Sequence, residues 1–167
     1  ITSGGVLTVT NDVRGDGDDD ETITLTGDLR GDGGVTIQTV GVGTDLDVDL
    51  SGDVSITAID NPVSLDTNSL DGAFALNINA GTGDITLPAI GDNTAVESLT
   101  VANSGAGIIT LFGNITSEQD IAFTTDGGTV LGDGVNVIAS ITATSTDGSA
   151  TFQGDVTSAN ACWRMPW

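Results

Sequence analysis

Along most of the chain, apolar and polar residues alternate in short runs. Examples are Thr22-Ile23-Thr24-Leu25-Thr26, Leu46-Asp47-Val48-Asp49-Leu50, Ala75-Leu76-Asn77-Ile78, Ser98-Leu99-Thr100-Val101 and Val135-Asn136-Val137. A period of two places alternate side chains on opposite faces of a strand, one face buried and one wet. Turn-forming residues separate the runs, as at Gly83, Gly91, Asn103, Gly105, Gly127-Gly128 and Asp147-Gly148. No stretch of ten or more residues carries a helical pattern.

A short motif recurs at the run ends: apolar, any residue, Gly, Asp or Asn, apolar. It reads Leu25-Thr26-Gly27-Asp28-Leu29, Leu50-Ser51-Gly52-Asp53-Val54, Leu111-Phe112-Gly113-Asn114-Ile115 and Phe152-Gln153-Gly154-Asp155-Val156, with a variant beginning at Leu131. Leu25 to Leu50 is 25 residues, Leu111 to Leu131 is 20 and Leu131 to Phe152 is 21, while Leu50 to Leu111 is 61, about three such steps. A period in the low twenties fits one coil of a β-solenoid, with glycine taking positive φ at the corner. No coil buries its apolar face alone, but stacking does so. The fold expected is all-β, a right-handed parallel β-solenoid (β-helix) over residues 1–158 with seven or eight coils. Residues 159–167, which hold both Trp and the single Met and Cys, read as an atypical tail or cap. The alternative is an antiparallel β-sandwich, which regular turns would also suit. The lack of Tyr and of a mid-chain Trp counts against its immunoglobulin-like form.

Stretches such as Gly83-Asp84-Ile85-Thr86-Leu87, Ser98-Leu99-Thr100-Val101-Ala102-Asn103-Ser104, Gly107-Ile108-Ile109-Thr110-Leu111-Phe112-Gly113-Asn114-Ile115 and Asp120-Ile121-Ala122-Phe123-Thr124-Thr125 carry a family resemblance. In style the chain resembles the repeat regions of large secreted bacterial exoproteins, filamentous-haemagglutinin-type adhesins and autotransporter passengers. The resemblance implies a secreted or cell-surface product, a fibrous shape and contact with surfaces. The amino-terminal secretion-domain signature of the two-partner systems is not seen, so it implies no export route.

Composition sharpens this picture. Aromatics are 4% of residues and apolar residues 38%, so the core must be thin and aliphatic. The net charge is -21, with three Arg, no Lys and no His. Such a chain cannot build the cationic face that nucleic acid requires, and an anionic membrane would repel it. No run approaches ~18 apolar residues, so no membrane-spanning helix is expected. Glu occurs only at positions 21, 97 and 118, which leaves 21 of the 24 acidic residues as Asp, the turn former. A single cysteine, Cys162, excludes an intrachain disulfide framework. A start at Ile1 rather than Met suits a fragment or processed product.

Four features carry candidate chemistry. Residues 12–21 hold six acidic side chains in ten. Asp16, Asp18 and Asp20 at alternate positions, with Glu21, could converge on Ca²⁺, although the loop departs from the EF-hand and nonapeptide patterns. The other reading is a solvated acidic loop. Asp45, Asp47 and Asp49 project from one strand face, too widely spaced for one ion, and read as a solvated, aggregation-resistant face. Arg14-Gly15-Asp16 and Arg30-Gly31-Asp32 repeat a tripeptide that integrins recognise, a match that a Gly- and Asp-rich chain produces by chance. Alternating Thr, as at Thr8/Thr10 and Thr22/Thr24/Thr26, could order water if registered between coils.

Enzyme chemistry finds no support: there is no general-base His, no Lys, and no carboxylate pair that stands out. The function expected is an extracellular structural, fibre-forming or surface-layer module without catalysis, self-associating into a filament or array. The alternative is an adhesin that holds a glycan or receptor through its acidic, Ca²⁺-loaded loops. Neither nucleic acid nor membrane insertion enters the reading.

Overall fold

The computed structural model of the chain describes residues 1–13, 21–41, 46–126, 129–131, 137–145, 150–151 and 156–157, with side chains over 1–10, 22–40 and 46–126. Every described element is a strand, and every described pairing is parallel. An antiparallel sandwich is thereby excluded, and the chain is a parallel β-solenoid.

The strands come three to a rung. The first rung is β1 (Thr2–Ser3), β2 (Leu7–Val13) and β3 (Glu21–Leu25), followed by β4 (Leu29–Gly31), β5 (Val35–Gly41) and β6 (Leu46–Leu50). The third and fourth are β7 (Val54–Ala58), β8 (Val63–Asp66), β9 (Ser69–Asp71), and β10 (Ala75–Asn79), β11 (Ile85–Leu87), β12 (Ala89–Ile90). Then come β13 (Ser98–Ala102), β14 (Ile109–Leu111), β15 (Ile115–Thr125), β16 (Thr129–Leu131), β17 (Val137–Ser145), β18 (Ala150–Thr151) and β19 (Val156–Thr157). The middle strands of the rungs stack into one seven-stranded sheet, β18-β16-β14-β11-β8-β5-β2. The other two faces join through the long β15 and β17 into a twelve-stranded sheet. The continuous stretch 46–126 makes about four turns, and the seven-stranded stack carries the same winding beyond it at both ends.

Register explains the core. Leu29, Ile56, Ile78, Val101 and Phe123 lie over one another on the first face. Leu7, Val35, Val63, Ile85 and Ile109 do so on the second, and Ile23, Val48, Leu70, Ile90 and Ile115 on the third. Side-chain period two turns each of these files inward, so β6 buries Leu46, Val48 and Leu50 and leaves Asp49 in solvent. Each fully buried aliphatic side chain contributes roughly 1.5–3 kcal/mol. Phe123 is the one aromatic fully buried among the described residues, so the core is aliphatic and narrow.

The spacings read from the sequence are inter-rung pairings in two cases: Leu25 pairs with Leu50 and Leu111 with Leu131. The 61-residue step is not. Leu50 ends a strand of the third face and Leu111 a strand of the second, so the motif marks two different corners. The reason offered for its glycine also fails at Gly27 and Gly52, which lie outside the positive-φ set; a Cβ would meet nothing at Gly27 and only an ordinary contact, 3.6 Å from the carbonyl oxygen of Thr26, at Gly52. Positive φ falls instead on Gly34, Gly72, Gly81, Gly91 and Gly105, and on Asp60 at 54°. At Gly72 (φ 123°) a Cβ would stand 2.5 Å from the carbonyl oxygen of Leu50, so both conformation and space require glycine there.

Candidate functional site

The aspartates that punctuate the sequence bind the solenoid's own backbone. Asp28 Oδ1 accepts from the N–H of Ser55 at 2.8 Å and Asp53 Oδ1 from Ala75 at 3.1 Å. Asp60 Oδ1 takes the N–H of Thr82 at 3.1 Å and Asp84 Oδ1 that of Ile108 at 2.9 Å. In each pair the partner lies 22 to 27 residues further on, in the next rung. At corners the ladder of strand hydrogen bonds breaks, and a carboxylate one carbon from its backbone reaches the orphaned donor above it.

Asp71 is the buried member of this set, at 3% exposure. Its Oδ1 accepts the N–H groups of Asn93 at 2.8 Å and Thr94 at 2.9 Å, and its Oδ2 meets Ser69 Oγ. Ser69 Oγ also lies 2.9 Å from Asp47 Oδ1, to which Asn68 Nδ2 donates at 3.2 Å. The strand pairing that sets Asp47 beside Ser69 and Asp49 beside Asp71 builds this cluster. Residues 91–95 fold over it: Gly91 N–H donates to Leu70 O at 2.8 Å and Gly72 N–H to Thr94 O at 3.2 Å. Ser69 is 2% exposed, so its hydroxyl is shut away from any substrate. The cluster therefore locks a loop onto β9. Sequence reasoning missed it, because Asp71-Gly72 reads only as a turn.

The other sequence-derived candidates fare differently. Asp16, Asp18 and Asp20 lie outside the described residues, as do Asp45, Arg14 and the 159–167 tail, and of Glu21 only the backbone is described. Among the described residues no group of three or more acidic, His or Cys side chains is arranged to hold a metal. Asp47 is half-buried and hydrogen-bonded, and only Asp49 of that pair is a freely solvated face residue. Arg30 and Asp32 of the second tripeptide close on each other, Nε to Oδ1 at 2.8 Å, and Gly31 is buried in strand β4. A recess at the first rung is lined by Ile1 and Thr24–Leu29, and its one carboxylate, Asp28, already holds Ser55.

Registered hydroxyls do occur. Thr8, Thr36, Ser64, Thr86 and Thr110 align on the outer side of the seven-stranded sheet. The neighbouring row is Thr10, Gln38 and Asp66, so a second hydroxyl row, needed for a water-ordering plane, is not formed.

One interior group stands apart. Asn103 is 5% exposed, and neither its Oδ1 nor its Nδ2 has a hydrogen-bond partner. An unmade buried hydrogen bond costs about 1–3 kcal/mol per group. The sequence marks Asn103 as turn punctuation. It does open a corner, but its side chain is enclosed with the core.

Comparison with protein-family models, with curated proteins and with solved structures gives no match.

Proposed function

We propose that this protein is a structural module of an extracellular or cell-surface assembly, a fibre-forming or surface-layer element without catalytic activity. On this reading it is built like the β-helical repeat regions of large secreted bacterial exoproteins. The observation that carries the proposal is the use of the acidic residues. Asp28, Asp53, Asp60 and Asp84 at the corners each join one rung to the next, and the core files run unbroken between them. That is an arrangement for transmitting load along an axis. Parallel strands at a solenoid end also offer unpaired backbone groups to another chain, the simplest route to a filament.

The adhesin reading is weaker. It rests on the acidic loop of residues 12–21, whose Asp16, Asp18 and Asp20 lie outside the described residues, so no observed geometry favours it.

Electron microscopy of the purified protein, with and without a calcium chelator, tests the proposal. Elongated particles that lengthen with concentration are the expected result. Compact globules of fixed size under every condition would overturn it.

A further inference from the structure

The chain has ten Asn, and only Asn114 stands two residues before a Ser or Thr, in Asn114-Ile115-Thr116. That spacing is the acceptor pattern for an N-linked sugar, an amide followed by a hydroxyl two positions on. Ile115 is fully buried and opens β15, so the period of two turns Thr116 outward, where it is half-exposed. Asn114, on the other side of Ile115, is half-exposed as well.

The same corner carries an aromatic ring. Phe112 is 71% exposed, whereas Phe74 is half-buried and Phe123 buried, so it is the one exposed aromatic among the described residues. The backbone beneath it is pinned to the rung before. Phe112 N–H donates to Leu87 O at 2.9 Å, and Ile90 N–H donates to Asn114 O at 2.8 Å. A Cβ on Gly113 would run into the backbone of Ala89, so the corner lies directly on that rung. Leu111 and Ile115 fill the core on either side of it.

We propose that Asn114 is a glycosylation site, and that Phe112 packs against the first sugar attached there. The proposal rests on the extracellular reading above, since this acceptor pattern serves surface segments of secreted chains. The donor is a sugar held on a diphosphate. Asn114 Nδ2 bonds to the anomeric carbon, the carbon–oxygen bond to the diphosphate breaks with its electron pair leaving on oxygen, and Nδ2 gives one proton to the base of the transferase. The second Nδ2 hydrogen stays available for a hydrogen bond. A pyranose has a face of C–H groups, which suits the negative face of a phenyl ring. Outward positions two apart on extended chain lie ~6.6–7 Å apart, within reach of a sugar ring carried on the amide. The sugar thus covers a ring that nothing in the fold covers.

The test is mass spectrometry of the protein recovered from the cells that make it. Cleavage after Glu97 and Glu118 releases Ser98–Glu118, in which Asn114 is the one acceptor Asn. The expected result is that peptide heavier by a sugar, with fragmentation placing the added mass on Asn114. A single monosaccharide marks a nucleotide-linked donor, and a preassembled oligosaccharide a lipid-linked one. Asn114→Gln and Thr116→Ala should each lose the added mass. Enzymatic removal of the sugar should lower the melting temperature of the wild type and leave that of Phe112→Ala unchanged. An unmodified Ser98–Glu118 peptide from protein outside the cell overturns the proposal and leaves the extracellular reading standing. Unmodified protein held inside the cell overturns both. Equal melting shifts in wild type and Phe112→Ala would overturn the contact between Phe112 and the sugar.

Discussion

Asp53 Oδ1 accepts a hydrogen bond from the backbone N–H of Ala75 at 3.1 Å, across 22 residues of chain. The contact joins one rung to the next at a corner where no strand pairing is available. It also recurs, with Asp28 and Ser55 one rung earlier.

Removing this clamp should cost stability even though Asp53 is exposed. Asp53→Ala is expected to lower the unfolding free energy by about 0.5–1.5 kcal/mol, the range for one hydrogen bond to a partly solvated acceptor. Asp53→Asn keeps an acceptor oxygen at the same reach and should cost less than half as much. Denaturant titration of the three proteins measures both. Equal stability of wild type and Asp53→Ala would show that the clamp contributes nothing.

Asp71 allows a sharper separation. Asp71→Ala leaves the N–H groups of Asn93 and Thr94 without their acceptor inside a covered site, and should cost about 2–4 kcal/mol. Asp71→Asn behaves differently. Ser69 has one hydroxyl proton and two carboxylates within reach, Asp47 and Asp71. An amide at 71 can accept the two backbone N–H groups through oxygen and donate to Ser69 through nitrogen, which frees the hydroxyl proton for Asp47 and gives up only the long contact from Asn93 Nδ2 to Oδ2, 3.4 Å. Asp71→Asn is therefore expected to stay within about 1 kcal/mol of the wild type. Amide hydrogen exchange at Asn93 and Thr94 reads the outcome: fast in Asp71→Ala, protected in Asp71→Asn. Fast exchange in both would mean that the carboxylate charge itself holds the loop.

Legibility from sequence followed the range of the interactions. Alternation within a strand is local, so the inward set Leu46, Val48, Leu50 was readable, and so was the spacing that pairs Leu25 with Leu50. The assignment of strands to faces was not. The two kinds of corner use similar residues, and Leu50 and Leu111 look equivalent although they close different faces. The clamps were hidden for another reason. The partner of Asp53 is a backbone N–H, which every residue but proline carries, so nothing at Ala75 announces it. The buried amide of Asn103 was concealed by its type, since Asn opening a loop is the ordinary sign of an exposed turn.

Register gives a prediction that tests the rung as a unit. Leu76 pairs with Val54, so deleting Val54–Ala75 places Leu76 directly after Asp53, in the position that Val54 held. Each inward residue beyond the junction then meets an inward residue of the rung below. Rungs of a solenoid contribute nearly additively through their neighbours, so the shortened chain should still fold, with a parallel-β spectrum and a cooperative melt. Removing one residue more, Val54–Leu76, sets Asn77 after Asp53 instead. Asn77 is exposed in the intact protein, and the shift turns its whole strand over, burying Asn77 and Asn79 and presenting Ile78 to water. That protein should fail to fold or should aggregate, although it differs from the other by a single residue. Circular dichroism and sedimentation of the two deletions side by side decide the matter. If both fold alike, pairing between rungs does not set the register, and the stacked files of Leu76, Leu99 and Ile121 are not what holds the solenoid together.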